Sequence, residues 1–353
     1  MALFSVNNVK IKGISATVPG EVYSNKNYEW ISKKERDMLI KMTGVNERHV
    51  AKFGMTTADL CESATEKLIE ELNWAKEDID VLIFVSQSRD YLIPATACIL
   101  QNKLGLSNNC LAFDVNMGCS GYVYGLSIIS GMMSSGQIKK GLLLVGDIST
   151  LNTSYNDKST YPLFGDAGTC TALEYSNEAK MSFNLQTDGA GYEAIIIRDG
   201  GCRNYASKES FEKVKHAKGI ERNRVQLELQ GVDVFNFSLK EVKPNVSRIL
   251  DEHGVQIDEV DYFVFHQANK LINESIRKKL RIPPEKVPYS LDRYGNTSSA
   301  SIPLTIVSEL KEKVSKGENK LLISGFGVGL SWGSTLIDLE DLVCPDIIEI
   351  KLN

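Results

Sequence analysis

"MGCSGYVYGLSIISGMMSSGQIKKGLLLVGD", residues 117–147, decides the reading of the fold. It opens on a small-residue turn that carries a cysteine. Small and apolar residues then recur at roughly helical spacing, and the stretch closes in a short apolar run suited to a buried strand. It has a counterpart. "YGNTSSASIPLTIVSELKEKVSKGENKLLISGFG", residues 294–327, repeats the order of turn, helix, glycine and buried strand 177 to 181 residues later. Upstream of each lies a further apolar run, "DVLIFVSQ" from Asp80 and "DYFVFHQA" from Asp261. The spacing predicts an internal duplication with a boundary near 175–182, giving an N-terminal half, 1–178, and a C-terminal half, 179–353. Strands that alternate with helices indicate an α/β fold. Cys119 then falls opposite Asn296, and His266 falls opposite Val85–Ser86. If the halves pack about a pseudo-twofold axis, these turns converge on one pocket.

Working outward, "MTTADLCESATEKLIEELNW" reads as a helix capped by Thr57 or Asp59. "NKLINESIRKKL" and "SIPLTIVSELKEKVSKG" read the same way, the second ending at Gly317. The 353 residues carry a formal charge of −5, which gives no nucleic-acid footprint. No apolar run reaches membrane-spanning length. The start, "MALFSVNNVKIKG", has no basic region leading into a long apolar stretch, so no signal peptide is expected. The seven cysteines are scattered and never spaced CxxC, which argues against a disulfide framework and a zinc site, and for a reducing, cytoplasmic setting. Segment 203–224, "RNYASKESFEKVKHAKGIERNR", holds seven Lys or Arg against three Glu. It reads either as a solvated loop or as a basic patch for an acidic partner.

Cys119 stands where a strand gives way to a helix. A thiol at a helix N-terminus faces unsatisfied N–H groups and the positive end of the dipole, which is expected to lower its pKa. The same N–H groups can hold an oxyanion when sulfur attacks a thioester. A packed core cysteine is the alternative. His266, at a strand end, and Asn296, in a turn-rich stretch, each have a structural reading as well as a chemical one. His49, His216 and His253 read as ordinary loop or surface residues.

"CSG" in its turn, "FHQAN", "GNTSSASIP" and "GFGVGLSWGS" come in an order and spacing that resemble the β-ketoacyl-acyl carrier protein synthase III family of the thiolase superfamily. The resemblance runs from "VKIKGISATVPGEVYSN" through "TGVNERHV" to "SWGSTL". It implies two duplicated βαβ-rich halves in a five-layer αβαβα sandwich, usually a homodimer, with no metal or cofactor beyond the thioesters of coenzyme A or phosphopantetheine. It implies that Cys119 takes an acyl group. A malonyl-acyl carrier protein then loses carbon dioxide, and its carbanion attacks the acyl-cysteine. His266 and Asn296 become the donors to the enolate. The backbone N–H groups of Cys119 and Val328 become the second oxyanion hole. Some members of the family carry glycine at the position of Val328, a mild departure.

Other departures bear on substrates. Met38 and Met42 stand where relatives that start from acetyl-coenzyme A often carry a tryptophan and an arginine against adenine, with Trp30 upstream as a conceivable substitute. This favours an acyl carrier protein as first donor. Ile93, before Pro94, stands where relatives extend a phenylalanine into the partner subunit's acyl pocket, and Tyr91 and Leu92 flank it. Gln87 takes the place of a glutamate acid/base in the hydroxymethylglutaryl-CoA synthase branch, so that chemistry is not expected. Lys278 and Lys279 align with a lysine pair used for carrier-protein docking, and Lys270 and Arg277 join them, though Leu271 replaces a frequent arginine. A second reading is an acyltransferase that passes the acyl group from Cys119 to an amine or hydroxyl. A non-catalytic partner subunit is a third reading, disfavoured by Cys119. Intact His266 and Asn296 favour condensation.

Overall fold

The computed structural model describes residues 2–351. Through the first half run β1 (Ala2–Pro19), α1 (Lys33–Thr43), α2 (Thr57–Leu72), β2 (Val81–Val85), α3 (Thr96–Lys103), β3 (Leu111–Val115), α4 (Gly121–Met133), β4 (Lys140–Ile148) and β5 (Asp166–Thr187). The second half holds α5 (Gly231–His253), β6 (Tyr262–Phe265), α6 (Lys270–Leu280), α7 (Ser301–Thr305), β7 (Glu318–Gly327) and β8 (Ser331–Glu340). A π-helical segment, Ile306–Leu310, and a final turn, Lys311–Val314, extend α7 towards Gly317, whose φ of 72° ends the run.

The duplication is visible in the pairing. β2 lies parallel to β4 with Val81 opposite Gly141, and β6 lies parallel to β7 with Tyr262 opposite Leu321. Each pair continues antiparallel, β4 to β5 and β7 to β8. The spatial orders are β3-β2-β4-β5-β1 and β6-β7-β8-β5-β1, because the two long strands serve both sheets. Residues 168–175 of β5 pair with Val9–Thr17, and residues 180–185 pair with Ala2–Asn7, across a register shift. The expected boundary at 178/179 therefore lies inside β5, and the first residues of the chain form an edge of the second sheet.

Helices form three of the five layers and the two sheets the others. α2 and α3 cover the outer face of the first sheet, α5 and α6 that of the second, and α4 and α7 lie between the sheets. This is the thiolase-like arrangement. Val85, Val123, Leu126, Leu143, Leu304 and Ile323 belong to the central core. Full burial of each such side chain stabilises by roughly 1.5–3 kcal/mol. α4 seats closely because it carries glycine where it meets the sheet: a Cβ on Gly121 or Gly125 would lie 2.8 Å from Val85 or Leu143.

Local signals moved by a residue or two. Thr56, not Thr57 or Asp59, caps α2, and Asp59 closes a capping box with it. Asn269 caps α6 through its side chain, 2.8 Å from the N–H of Ile272. Segment 203–224 is not simply a loop, since it contains a hairpin, Val214–Ala217 with Ile220–Arg222.

Candidate active site

Cys119, His266 and Asn296 converge on one cavity of about 400 Å³. Its walls include Gln87, Asn116, Leu163, Phe164, Ile195–Ile197, Leu229, Ala268, Asn269 and Val328. His266 directly follows the buried strand β6, Cys119 lies in the turn between the half-buried β3 and α4, and Asn296 follows a short helix, Leu291–Tyr294.

Cys119 lies just ahead of α4, whose cap is Ser120. The thiol is 8 % exposed and faces three donors: the N–H of Val328, the Ser298 hydroxyl and its own N–H. A Cβ on Gly327 would lie 2.7 Å from Sγ, so only glycine lets that turn close on the sulfur. Gly327 and Gly329 take φ of 154° and 139°, while Val328 between them keeps a negative φ. The flanking glycines absorb the strain, which is how a β-branched residue fits here.

The expected lowering of the Cys119 pKa is overturned. Burial is the largest influence and pushes the thiol up, the negative charge of Asp147 adds to it, and the three donors only offset part. A helix N-terminus contributes about 0.3–1 kcal/mol. Full burial moves a pKa by up to ~3–5 units, each worth about 1.4 kcal/mol. Desolvation wins. The alkylation rate of Cys119 by iodoacetamide should therefore keep rising with pH beyond the ordinary thiol range of about 8.5. Asp147→Asn should move the profile down, because a thiolate no longer faces a carboxylate. A wild-type midpoint below pH 8 would contradict this.

His266 is 1 % exposed, and burial lowers its pKa to about 3, so the imidazole is neutral. Its tautomer follows from its neighbours. Nδ1 lies 2.7 Å from the Ser301 hydroxyl, and that oxygen accepts from the N–H of Gln267 at 3.3 Å. The Ser301 hydroxyl has a second acceptor site and one proton; when that proton goes to Nδ1 the ring proton sits on Nε2, the tautomer an enolate site needs. The Ser298 carbonyl favours a proton on the ring as well. The edge of Phe326 completes the enclosure.

The Asn296 amide is oriented by the same logic. Oδ1 accepts from the N–H of Ser298 at 2.9 Å, and Nδ2 donates to the Ala268 carbonyl at 3.3 Å. One N–H of the amide remains for the cavity. Ser298 adopts a φ of 49°, a conformation rarely taken by a non-glycine residue, at the point where its backbone meets Asn296 and its hydroxyl meets Cys119.

Asp147 was not singled out by the sequence reading. It is fully buried, lines the cavity and joins the halves: it accepts from the N–H of Gln87 at 2.7 Å and from the Ser299 hydroxyl at 2.7 Å. Ser86 donates to it as well. An aspartate ending the apolar run "LLLVGD" was the available signal.

Residues 113–189 match the family model described as 3-oxoacyl-[acyl-carrier-protein (ACP)] synthase III. Residues 250–339 match the model of its C-terminal part. The β-ketoacyl-[acyl-carrier-protein] synthase III of Clostridioides difficile (strain 630) is 33 % identical over 93 % of this chain and 97 % of its own. The chain belongs to the β-ketoacyl-acyl carrier protein synthase III family. The enzyme of that name from Aliarcobacter butzleri (strain RM4018) is 32 % identical over 92 % of this chain and 96 % of its own. A solved 3-oxoacyl-(acyl-carrier protein) synthase from Burkholderia xenovorans LB400 superposes with a TM-score of 0.93 at 39 % identity, covering 99 % of both chains. As a synthase III family member, the chain is an acyl-transferring condensing enzyme.

Other sequence-based candidates fall differently within this synthase III chain. Gln87 lines the cavity beside Gly118. Ile93 is 85 % exposed, as are Tyr91 and Leu92 to a lesser degree, and none lines the cavity of its own chain. Arg277 is occupied: it holds Glu274 with Nε and Nη2 and the Ile282 carbonyl with Nη1. The Lys279 ammonium donates to the Leu239 carbonyl. Lys270 and Lys278 are exposed without such ties. Met38 and Met42 are exposed on α1, and Trp30 donates its indole N–H to Gly219.

Proposed function

We propose that the chain performs a decarboxylative condensation at Cys119, His266 and Asn296. Sγ of Cys119 attacks an acyl thioester, the pantetheine thiolate leaves, and the thiol's proton goes to it. The N–H groups of Cys119 and Val328 hold the oxyanion. A malonyl group on an acyl carrier protein then binds and loses carbon dioxide. Nε2–H of His266 and the free N–H of Asn296 hold the enolate oxygen. The carbanion attacks the acyl carbonyl, sulfur leaves, and a β-keto thioester longer by two carbons departs.

The observation that carries this reading is the pair of neutral donors beside the thiol in a buried cavity. An enolate needs both. Passing an acyl group to an amine or hydroxyl needs a base instead, and a histidine whose pKa is about 3 is a poor one. Gln87, in the glutamate's place, transfers no proton.

The reading extends to the assembly and the setting. Exposed Tyr91, Leu92 and Ile93 form an apolar loop that suits burial in a second copy, with Ile93 shaping the partner's acyl pocket. Unpaired cysteines fit a reducing cytoplasm, and no helix among the described residues is long and apolar enough to cross a membrane. The two halves, 1–178 and 179–353, meet within β5, and residues 2–7 cross over to pair in the second sheet. The chemistry calls for no metal or cofactor beyond the thioesters and no nucleic acid.

Intact-protein mass spectrometry tests the reading. The enzyme is mixed with acyl-coenzyme A and acyl carrier protein donors, and malonyl carrier protein follows. An acyl mass on Cys119 and a product longer by two carbons are expected. An acyl mass discharged only by an amine or alcohol would replace condensation with acyl transfer.

A further inference from the structure

The basic stretch 203–224 has a shape of its own. Two of its seven cations are internal ties: Arg222 binds buried Asp157, and Arg224 binds Asp199. Arg203, Lys208, Lys213, Lys215 and Lys218 are exposed; Lys218 acts on Glu35 of α1, whose carboxylate also holds Lys158 at 3.6 Å, while Lys213 and Lys215 are in none of the ion pairs among the described residues. Glu221 stands across the hairpin from Lys215 in register without pairing with it. The ribbon is firmly held. Gly219 accepts from the N–H of Lys158 at 3.0 Å and from the Trp30 indole at 3.2 Å, and the Glu221 carbonyl accepts from Ser154 at 2.8 Å.

Its anchors lead to the cavity from two sides. Segment 152–158 connects Lys158 at the ribbon to Asn152 in the cavity wall, a span of at most about 20 Å. Trp30 leads into α1, which packs on α6 and ends at Gly44 against Lys270, beside Asn269 of the cavity wall. The ribbon, α1 and the start of α6 thus make one continuous rim. In a chain of net charge −5, a rim element with unpaired lysines is a local reversal of sign, suited to steering an anionic partner.

We propose that this ribbon, through Lys213, Lys215 and Lys218, is the docking surface for an acidic carrier protein that delivers its thioester arm to the cavity. The inference rests on the carrier-protein reading above. It sets the ribbon against α6 as the docking site: on α6 Arg277 and Lys279 are engaged while Lys270 and Lys278 stay free, and the test separates the two surfaces.

The test compares two charge-reversed enzymes with the wild type. One carries Lys213→Glu, Lys215→Glu and Lys218→Glu; the other carries Lys270→Glu and Lys278→Glu. Each is assayed with malonyl carrier protein, malonyl-coenzyme A and malonyl-pantetheine, at low and high salt. The ribbon variant should raise KM for the carrier substrate about tenfold or more at low salt and flatten its salt dependence. Its turnover of malonyl-pantetheine should stay within about twofold of wild type, which also reports correct folding. An unchanged carrier KM, or a rise confined to the α6 variant, overturns the proposal. An equal rise for malonyl-coenzyme A assigns the ribbon to nucleotide phosphates and overturns it too. A wild type that turns over malonyl-pantetheine but gains nothing from any carrier protein overturns the carrier reading itself.

Discussion

Cys119→Ala should give no acyl adduct by intact mass, and condensation should fall on the order of 10⁶-fold, the scale seen when a covalent nucleophile is removed. The expectation follows from what surrounds the sulfur. Both proposed oxyanion donors, the N–H groups of Cys119 and Val328, point at the Sγ region and survive the substitution, since neither is a side chain. They have nothing to stabilise once the attacking atom is gone. The substitution is mild for the fold. It removes one buried sulfur against Gly327, which costs about 1 kcal/mol or less in a site this tightly closed. Because His266 and Asn296 are untouched, the variant should still decarboxylate a malonyl thioester, releasing an acetyl thioester. An adduct on Cys119→Ala, or condensation near the wild-type rate, would remove Cys119 from the mechanism.

The site was legible in the sequence because duplication places chemistry by symmetry. Cys119 and Asn296 occupy equivalent turns, His266 follows the equivalent of Val85, and the strands beneath them pair in matching registers. The four short strands were legible because each is a continuous apolar run buried on both faces. The two longest were not. β5 reads "DAGTCTALEYSNEAKMSFNLQT", whose polar middle lies where the strand passes from one sheet to the other. α5 was missed as well, with Pro244 inside it. The direction of the Cys119 pKa was wrong for a related reason. A helix end can be seen locally, but burial depends on Gly327, Val328 and Ser298, all supplied by the other half of the chain. Ser301 and Asp147 escaped notice because their partners lie 35 and 152 residues away.

The second large effect separates the two half-reactions. His266→Ala or Asn296→Ala should each lower condensation about 10²–10³-fold, the usual loss for one oxyanion donor, while acylation of Cys119 proceeds. The donors act on the malonyl oxygen and not on the sulfur, so adduct formation and malonyl decarboxylation should part company. Asn296→Asp should be at least as damaging as the alanine variant, because a carboxylate offers no donor and repels the enolate. Ser301→Ala tests how the imidazole is held. Without the hydroxyl proton on Nδ1, the ring loses what fixes Nε2–H towards the cavity. Nitrogen NMR of labelled His266 should report the Nε2–H tautomer in the wild type and a mixture in Ser301→Ala, with condensation falling and acylation intact; Ser301→Thr should restore both. The pH dependence carries the same signature. A ring with a pKa of about 3 stays neutral through the range where a free histidine titrates, so His266 should put no acid limb near pH 6.5 on condensation. Stability moves the other way. The unfolded chain protonates this histidine below about 6.5 and the folded chain does not, so His266 opposes folding as the pH falls through that window towards 3. If either donor variant blocks acylation but still decarboxylates malonyl thioester, the donors belong to the first half-reaction and the division of labour proposed for the site is wrong.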